Sequence, residues 1–198
     1  MLNCPYPACD RLRLVPTGPG GTRTLPPGPV TRYLNWRWFP DGRRILLEAR
    51  SGADTGVWIQ DVGGGDPVRV PGIASIGAIS PDGAHVVALG ADGRRRLVPL
   101  GGGAPRALDG LRNDDQFIAF AADGQSLFVQ RLGRGPRQAL ERYDLTTGRR
   151  EPWRWIAAPD PVGDTNVRLR SVIRDGRAYL YTCTQILSEL YLAELPWR

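Results

Sequence analysis

Few residues in this chain could do chemistry, and their spacing narrows what that chemistry is. His85 is the only histidine, so no multi-histidine metal site can form and a Ser/His/Asp triad has a single candidate base. That triad would have to recruit Ser80 and Asp82 across one tight turn. A nucleophile elbow reads G-x-S-x-G, and Ser75 in GIASIG lacks the first glycine at its place. Every one of the 26 cationic residues is Arg, which removes phosphate-cradling loops with their lysine, Schiff-base enzymes and kinase lysines together. Asp160 and Asp164 in PDPVGDTN, with Asn166, offer oxygens to Ca²⁺, but that ion takes six or more. A solvated loop is the expectation there. These residues predict no enzyme, no cofactor and no resident metal.

The cysteines point the same way. Cys4, Cys9 and Cys183 are too few and too irregular for a disulfide scaffold or a zinc knuckle. They read as incidental thiols, with a Cys4 to Cys9 bridge conceivable only in an oxidising compartment. At 198 residues and 41% hydrophobic content, the chain can bury roughly 70% of its unfolded surface without such staples. Against 20 acidic residues the charge is +6. Arginine used to the exclusion of lysine, alongside abundant Gly, Ala and Pro, fits a GC-rich coding sequence, so charge sign is a weak clue. Arg94 to Arg96 and the scatter Arg131, Arg134, Arg137 and Arg142 read as a solvated strand face, with a patch attracting phosphates or anionic lipid as the alternative. No aromatic residues interleave with them to mark a base-stacking groove, and no nucleic-acid partner is expected. The N-terminus has no basic n-region or apolar h-region, and no apolar stretch approaches the roughly 18 residues of a membrane span. As written, the chain reads as cytoplasmic; as the C-terminal part of a membrane-anchored protein it would be extracytoplasmic.

Positioning elements emerge from repetition. A hairpin signature occurs four times: WFPDGRRILLEA, ISPDGAHVVALG, FAADGQSLFVQR and VIRDGRAYLYTC. Asp41, Asp82, Asp123 and Asp175 are spaced by 41, 41 and 52 residues. Three residues before each Asp stands Trp38, Ile79, Phe120 or Val172, and three after each Gly stands Ile45, Val86, Leu127 or Tyr179. Proline fixes φ at the turn, Asp accepts local amides and Gly takes the left-handed conformation, so each copy predicts a β-hairpin. A second element follows each hairpin: VWIQDVGGGDPVRV, RLVPLGGGAPRAL, RYDLTTGRREPW and, without a partner, LYLAEL.

Each full unit therefore holds four strands, a to d. The b strands are apolar continuously, which requires burial of both faces. Four-stranded antiparallel sheets of about 40 to 45 residues, each covered by copies of itself, describe β-propeller blades; a β-sandwich predicts one polar face per strand and no fixed period. The fold class predicted is all-β, a propeller forming a partial ring of four to five blades. Its boundaries are a partial blade over 11–27 (strands c and d), blades over 33–71, 74–109 and 115–153, and a last blade over 167–195 lacking strand d.

The x-P-D-G turn before an apolar strand, followed by a Gly-rich turn, resembles the TolB-type, WD-repeat-like propeller repeats of bacteria over nearly the whole chain. The order LVPTGPGGTRTLPPG, WFPDGRRILL, SPDGAHVVALGADGRRRLVPLGGGAPRAL and SELYLAEL is more specifically similar to the C-terminal propeller region of membrane-spanning bacterial serine/threonine protein kinases. Ala122 and Arg174 replace the usual proline, and the turns are expected to survive because Asp-Gly remains. The resemblance implies a non-catalytic interaction or sensing module, or the accessory propeller of a kinase or hydrolase whose catalytic domain is elsewhere.

In a propeller the b-to-c and d-to-a connections share the face opposite the Asp-Gly turns, and loops on a rigid scaffold carry binding. The long third period is expected to place an insertion of about 11 residues in the last d-to-a connection, around WRWIAAPDPVGDTN. Trp153, Arg154 and Trp155 there suit a protein hot spot, unless the tryptophans pack on the neighbouring blade. Arg112, Asn113, Asp114 and Asp115 lie in another d-to-a connection. With Asp160 and Asp164 these are the candidate binding residues, for a protein partner or small ligand. Incomplete blades at both ends would expose apolar faces and strand edges, predicting self-association or docking with missing blades.

Overall fold

The four Asp-Gly turns set the frame of the molecule. In the first, the Asp41 carboxylate accepts the amides of Arg43 and Arg44 at 2.8 and 3.1 Å, while Gly42 takes φ +65° and donates to the Phe39 carbonyl. Asp82, Asp123 and Asp175 likewise accept the amide two residues on, with Gly83, Gly124 and Gly176 at φ +71°, +67° and +73°. Ala122 in place of proline leaves its turn intact. Arg174 lies outside the described residues, which in this computed structural model are 2–3, 9–112, 114–160, 162–173 and 175–187.

Antiparallel sheets grow from these turns. The first sheet contains β1 (Leu2–Asn3), β2 (Arg13–Leu14) and β3 (Arg23–Thr24). Three four-stranded sheets follow: β4 (Arg32–Trp38), β5 (Arg44–Ser51), β6 (Asp54–Asp61) and β7 (Val68–Val70); then β8 (Ser75–Ile79), β9 (His85–Leu89), β10 (Arg95–Pro99) and β11 (Arg106–Ala107); then β12 (Asp115–Phe120), β13 (Ser126–Arg131), β14 (Arg137–Asp144) and β15 (Arg150–Ala157). β16 (Asp164–Val172) pairs with β17 (Tyr179–Ile186) in the last. LYLAEL, the expected third strand there, lies outside the described residues. No helix forms among the described residues.

Sheets stack face to face, and the second strands explain why. Ile45 and Leu47 of β5 join a core with Leu2, Leu12, Leu25 and Tyr33, whereas Leu46 between them packs with Val86 and Ala88 of β9. Val87 points the other way, to Leu127 and Val129 of β13, and Phe128 in turn faces Val167 and Leu169 of β16. An unbroken apolar strand is thus a strand shared between two interfaces, each fully buried Leu or Val contributing roughly 1.5–3 kcal/mol. The last hairpin departs from the expectation that every such strand is buried on both faces. Tyr179 and Tyr181 pack inward, but Leu180 is 63% exposed, because its face meets no further described sheet.

Two sequence expectations are corrected. The N-terminal sheet has a strand besides the two foreseen: β1 pairs with β2 through Leu2 and Leu14, a two-residue strand too short to show periodicity. The extra residues of the third period do not form a long d-to-a loop either. They lengthen β14, β15 and β16 to 8, 8 and 9 residues, against 5, 2 and 6 for β10, β11 and β12, so Trp153, Arg154 and Trp155 stand in a strand.

Candidate interaction face

Connections 108–114, 132–136 and 158–163 emerge opposite the Asp-Gly turns. Asp115 opens β12 with a side chain showing no exposure, gripped by Arg150 at 2.7 and 2.9 Å and receiving the Arg112 amide at 2.7 Å. Burial works against its charge, but these donors hold its carboxyl below the usual range, and Asp115 with Glu141 raises the Arg150 pKa. Asp114 is exposed, 3.8 Å from Arg131. Asn113 lies outside the described residues. The polar cluster read from sequence is therefore brought together, with Asp115 bracing the loop and Arg112 and Asp114 at its surface.

The two tryptophans separate. Trp153 is half-buried, its ring 4.4 Å from Phe128 and 6.4 Å from Tyr179, with Arg154 lying over both Trp153 and Tyr179. It cements the last two sheets. Trp155 on the outer strand is 55% exposed, with the Arg137 guanidinium 4.3 Å from its ring centroid. Asp160 accepts the Val162 amide at 3.0 Å, closing its own loop; the Asp164 side chain is outside the described part. Among the described residues no three His, Cys, Asp or Glu side chains gather as a metal site would need.

This face also carries residues that sequence reasoning passed over. Leu132, Val162, Ile186 and Leu187 are 41%, 63%, 57% and 69% exposed, and Gln185 donates to the Val162 carbonyl at 2.6 Å, drawing connection 158–163 onto β17. Leu132 and Val162 are lone apolar residues beside glycine and polar neighbours, and Ile186 and Leu187 are only an adjacent pair, so no pattern announced them.

Two hollows complete the geometry. The axial one, about 300 Å³, is lined by first-strand residues including Asn35, Arg37, Gln116 and Arg168. Arg37 reaches water there, yet the walls desolvate it and lower its pKa while nearby Glu48 opposes the shift. The other, about 430 Å³, opens between two sheets on the turn face, over Phe120 and Leu145 with Ser80, Asp82, His85 and Asp123 at its walls. The Ser80 hydroxyl donates to Asp82 and accepts the His85 backbone amide at 2.9 Å. Those three residues close a turn.

Comparison of the fold with solved structures decides the architecture. A putative TolB from Agrobacterium tumefaciens superposes with TM-score 0.59 at 18% identity over 81% of this chain. TolB from Acinetobacter baumannii gives 0.58 at 17% over 86%. The fold is a β-propeller. Propeller-like likeness extends to a chain of a nidogen/laminin complex, with TM-score 0.53 at 13% identity over 76% of this chain and 61% of that one. A prolyl endopeptidase also matches, at 0.53 and 13% over 82% of this chain and 27% of that one. The propeller described here spans 62% of the Agrobacterium chain and 42% of the Acinetobacter chain. No protein-family model and no curated protein matches it.

Proposed function

We propose that this propeller is a non-catalytic binding module that takes a protein partner, or a small ligand, on the face built from connections 108–114, 132–136 and 158–163. The observation that carries the reading is the exposed Trp155–Arg137 pair on the rim of that face. Trp and Arg are the residue types that dominate protein hot spots. Exposed Leu132, Val162, Ile186 and Leu187 supply apolar surface on the same face.

The test is crosslinking of the whole chain in extract of its source, followed by affinity measurement on the captured partner. The double change Trp155→Ala with Arg137→Ala is expected to weaken binding about tenfold or more. Trp38→Ala, near the turn face, should leave it unchanged. The reverse pattern places binding on the turn face and overturns the choice.

A second reading is the sensor or accessory propeller of a serine/threonine kinase or hydrolase with its catalytic domain elsewhere, outside the cytoplasm. Cys9 favours that compartment: it is disulfide-bonded, whereas Cys183 is free, and lasting disulfides belong to oxidising compartments. Cys4, the other end of the bridge contemplated from sequence, lies outside the described residues. Coding DNA continuous with a membrane span and kinase domain upstream of Met1 would favour this reading; a stop codon directly upstream would remove it.

A further inference from the structure

We propose that the outer side of the last hairpin, which borders the interaction face above at Arg134 and Ile186, holds a binding site for a phosphate-type oxyanion. Alternation along β16 sends Val167 and Leu169 into the core and leaves Asn166, Arg168 and Arg170 on the opposite side. Across the hairpin Asn166 pairs with Thr184 and Arg168 with Thr182. A hollow of about 340 Å³ opens among Arg134, Asn166, Arg168, Arg170, Thr184 and Ile186. In a propeller this side of a blade ordinarily carries apolar residues for the next blade, as Phe128 does for β16. Here three guanidiniums occupy it.

No described carboxylate side chain compensates their charge. Arg96, Arg142 and Arg150 pair with carboxylates at 2.5–2.7 Å, but Arg134, Arg168 and Arg170 form no ion pair with a described residue, and no carboxylate lines the hollow among the described residues. Arg170 is oriented by donating to the Thr182 hydroxyl at 3.0 Å. Arg134 is brought in by the bridge between Gly135 and Asn166. Guanidinium forks match tetrahedral oxyanions bidentately, and a concave site of one charge sign concentrates counter-ions.

Asn166 refines the ligand. Its Oδ1 is buried without a hydrogen-bond partner, and a buried unpaired acceptor costs free energy. A ligand that is anionic and still keeps one O–H satisfies both demands once the Asn166 amide turns to meet it. Hydrogen phosphate does; sulfate at neutral pH offers acceptors alone.

Calorimetric titration of the whole chain with inorganic phosphate at low ionic strength tests the site, with sulfate run in parallel. Saturable phosphate binding, weakened about tenfold by Arg168→Ala or Arg170→Ala and unchanged by Arg94→Ala, supports it; all three positions are at the surface, so circular dichroism should show intact folding. Phosphate binding more tightly than sulfate, with the preference lost in Asn166→Ala, supports the Oδ1 contact, and equal affinity overturns that contact. Phosphatidic-acid vesicles separate a lipid headgroup from a free source, binding of either probe through Arg168 and Arg170 counting for the site. No saturable binding of either probe at about 10 mM phosphate, or equal weakening by Arg94→Ala, overturns the proposal.

Discussion

Arg150 holds the fully buried Asp115 carboxylate with both terminal nitrogens, at 2.7 and 2.9 Å, while its Nε donates to Glu141 at 2.7 Å. One guanidinium on β15 thus ties the innermost strand of its sheet to the third and fixes the start of β12, where connection 108–114 ends. Removing one partner of a buried pair leaves charge without compensation. Arg150→Ala is expected to lower unfolding free energy by about 2–3 kcal/mol. Arg149→Ala, whose pairing with Glu151 is surface-exposed, should change it by less than about 0.5 kcal/mol. Urea midpoints measure both, and equal effects would deny the bridge its structural role.

Acid should unfold the protein through the same carboxylates. Asp115 is held below its ordinary pKa by Arg150 and the Arg112 amide against the opposing effect of burial, and Asp41 by the Arg43 and Arg44 donors. A depressed folded-state pKa means stability that is fully present above the unfolded value of about 3.9 and lost as pH falls through the folded value. Urea midpoints should hold steady at mildly acidic pH and drop once it falls below that unfolded value. Asp115→Asn should start less stable and show a shallower drop. A variant with an unaltered acid profile would remove Asp115 from the account.

Leu46 and Leu180 occupy matching places in second strands, yet Leu46 is fully buried and Leu180 is 63% exposed. Leu46→Ala is expected to cost about 2–5 kcal/mol through lost burial and the cavity left behind. Leu180→Ala should cost less than about 1 kcal/mol. A large loss at Leu180 would mean that something covers that face in solution.

Self-association, expected from the incomplete sheets, meets an electrostatic obstacle. Exposed Arg13 lies on the N-terminal sheet on the side opposite inward Leu12 and Leu14, and Arg168 and Arg170 on the last hairpin, so head-to-tail stacking brings like charges together. Screening over about 10 Å at 0.1 M salt weakens that repulsion. Light scattering should show a mass that rises with salt, and Leu180→Arg should suppress the rise. A monomer at every salt concentration would exclude association through these faces.

The repeat itself was legible because its chemistry is local. Asp-Gly turns depend on a carboxylate reaching amides two and three residues away and on a glycine at positive φ, so four copies could be counted from letters alone. The runs ILL, VVAL and LFV announced burial on both faces, which with the period points to stacked blades. Pairing partners also followed, since neighbouring strands in each sheet are neighbours in sequence.

What the letters could not carry was how far each strand runs and what lies across from it. WRWIAA reads equally as loop or strand, and only pairing of Trp155 with Ala139 and of Ile156 with Gln138 made it a strand, turning a supposed insertion into longer strands. Trp153 and Trp155 look equivalent in sequence; contact with Phe128 and Tyr179 buried one and left the other beside Arg137. Asp115 looked like its neighbour Asp114 until Arg150, 35 residues away, reached it. The turns, the blade period and the alternation that makes a propeller could be read from residue order, because these rest on contacts a few residues apart. Which polar and aromatic residues are spent on cohesion and which remain for a ligand emerged with the packed sheets, because burial and charge compensation depend on side chains brought together from distant positions.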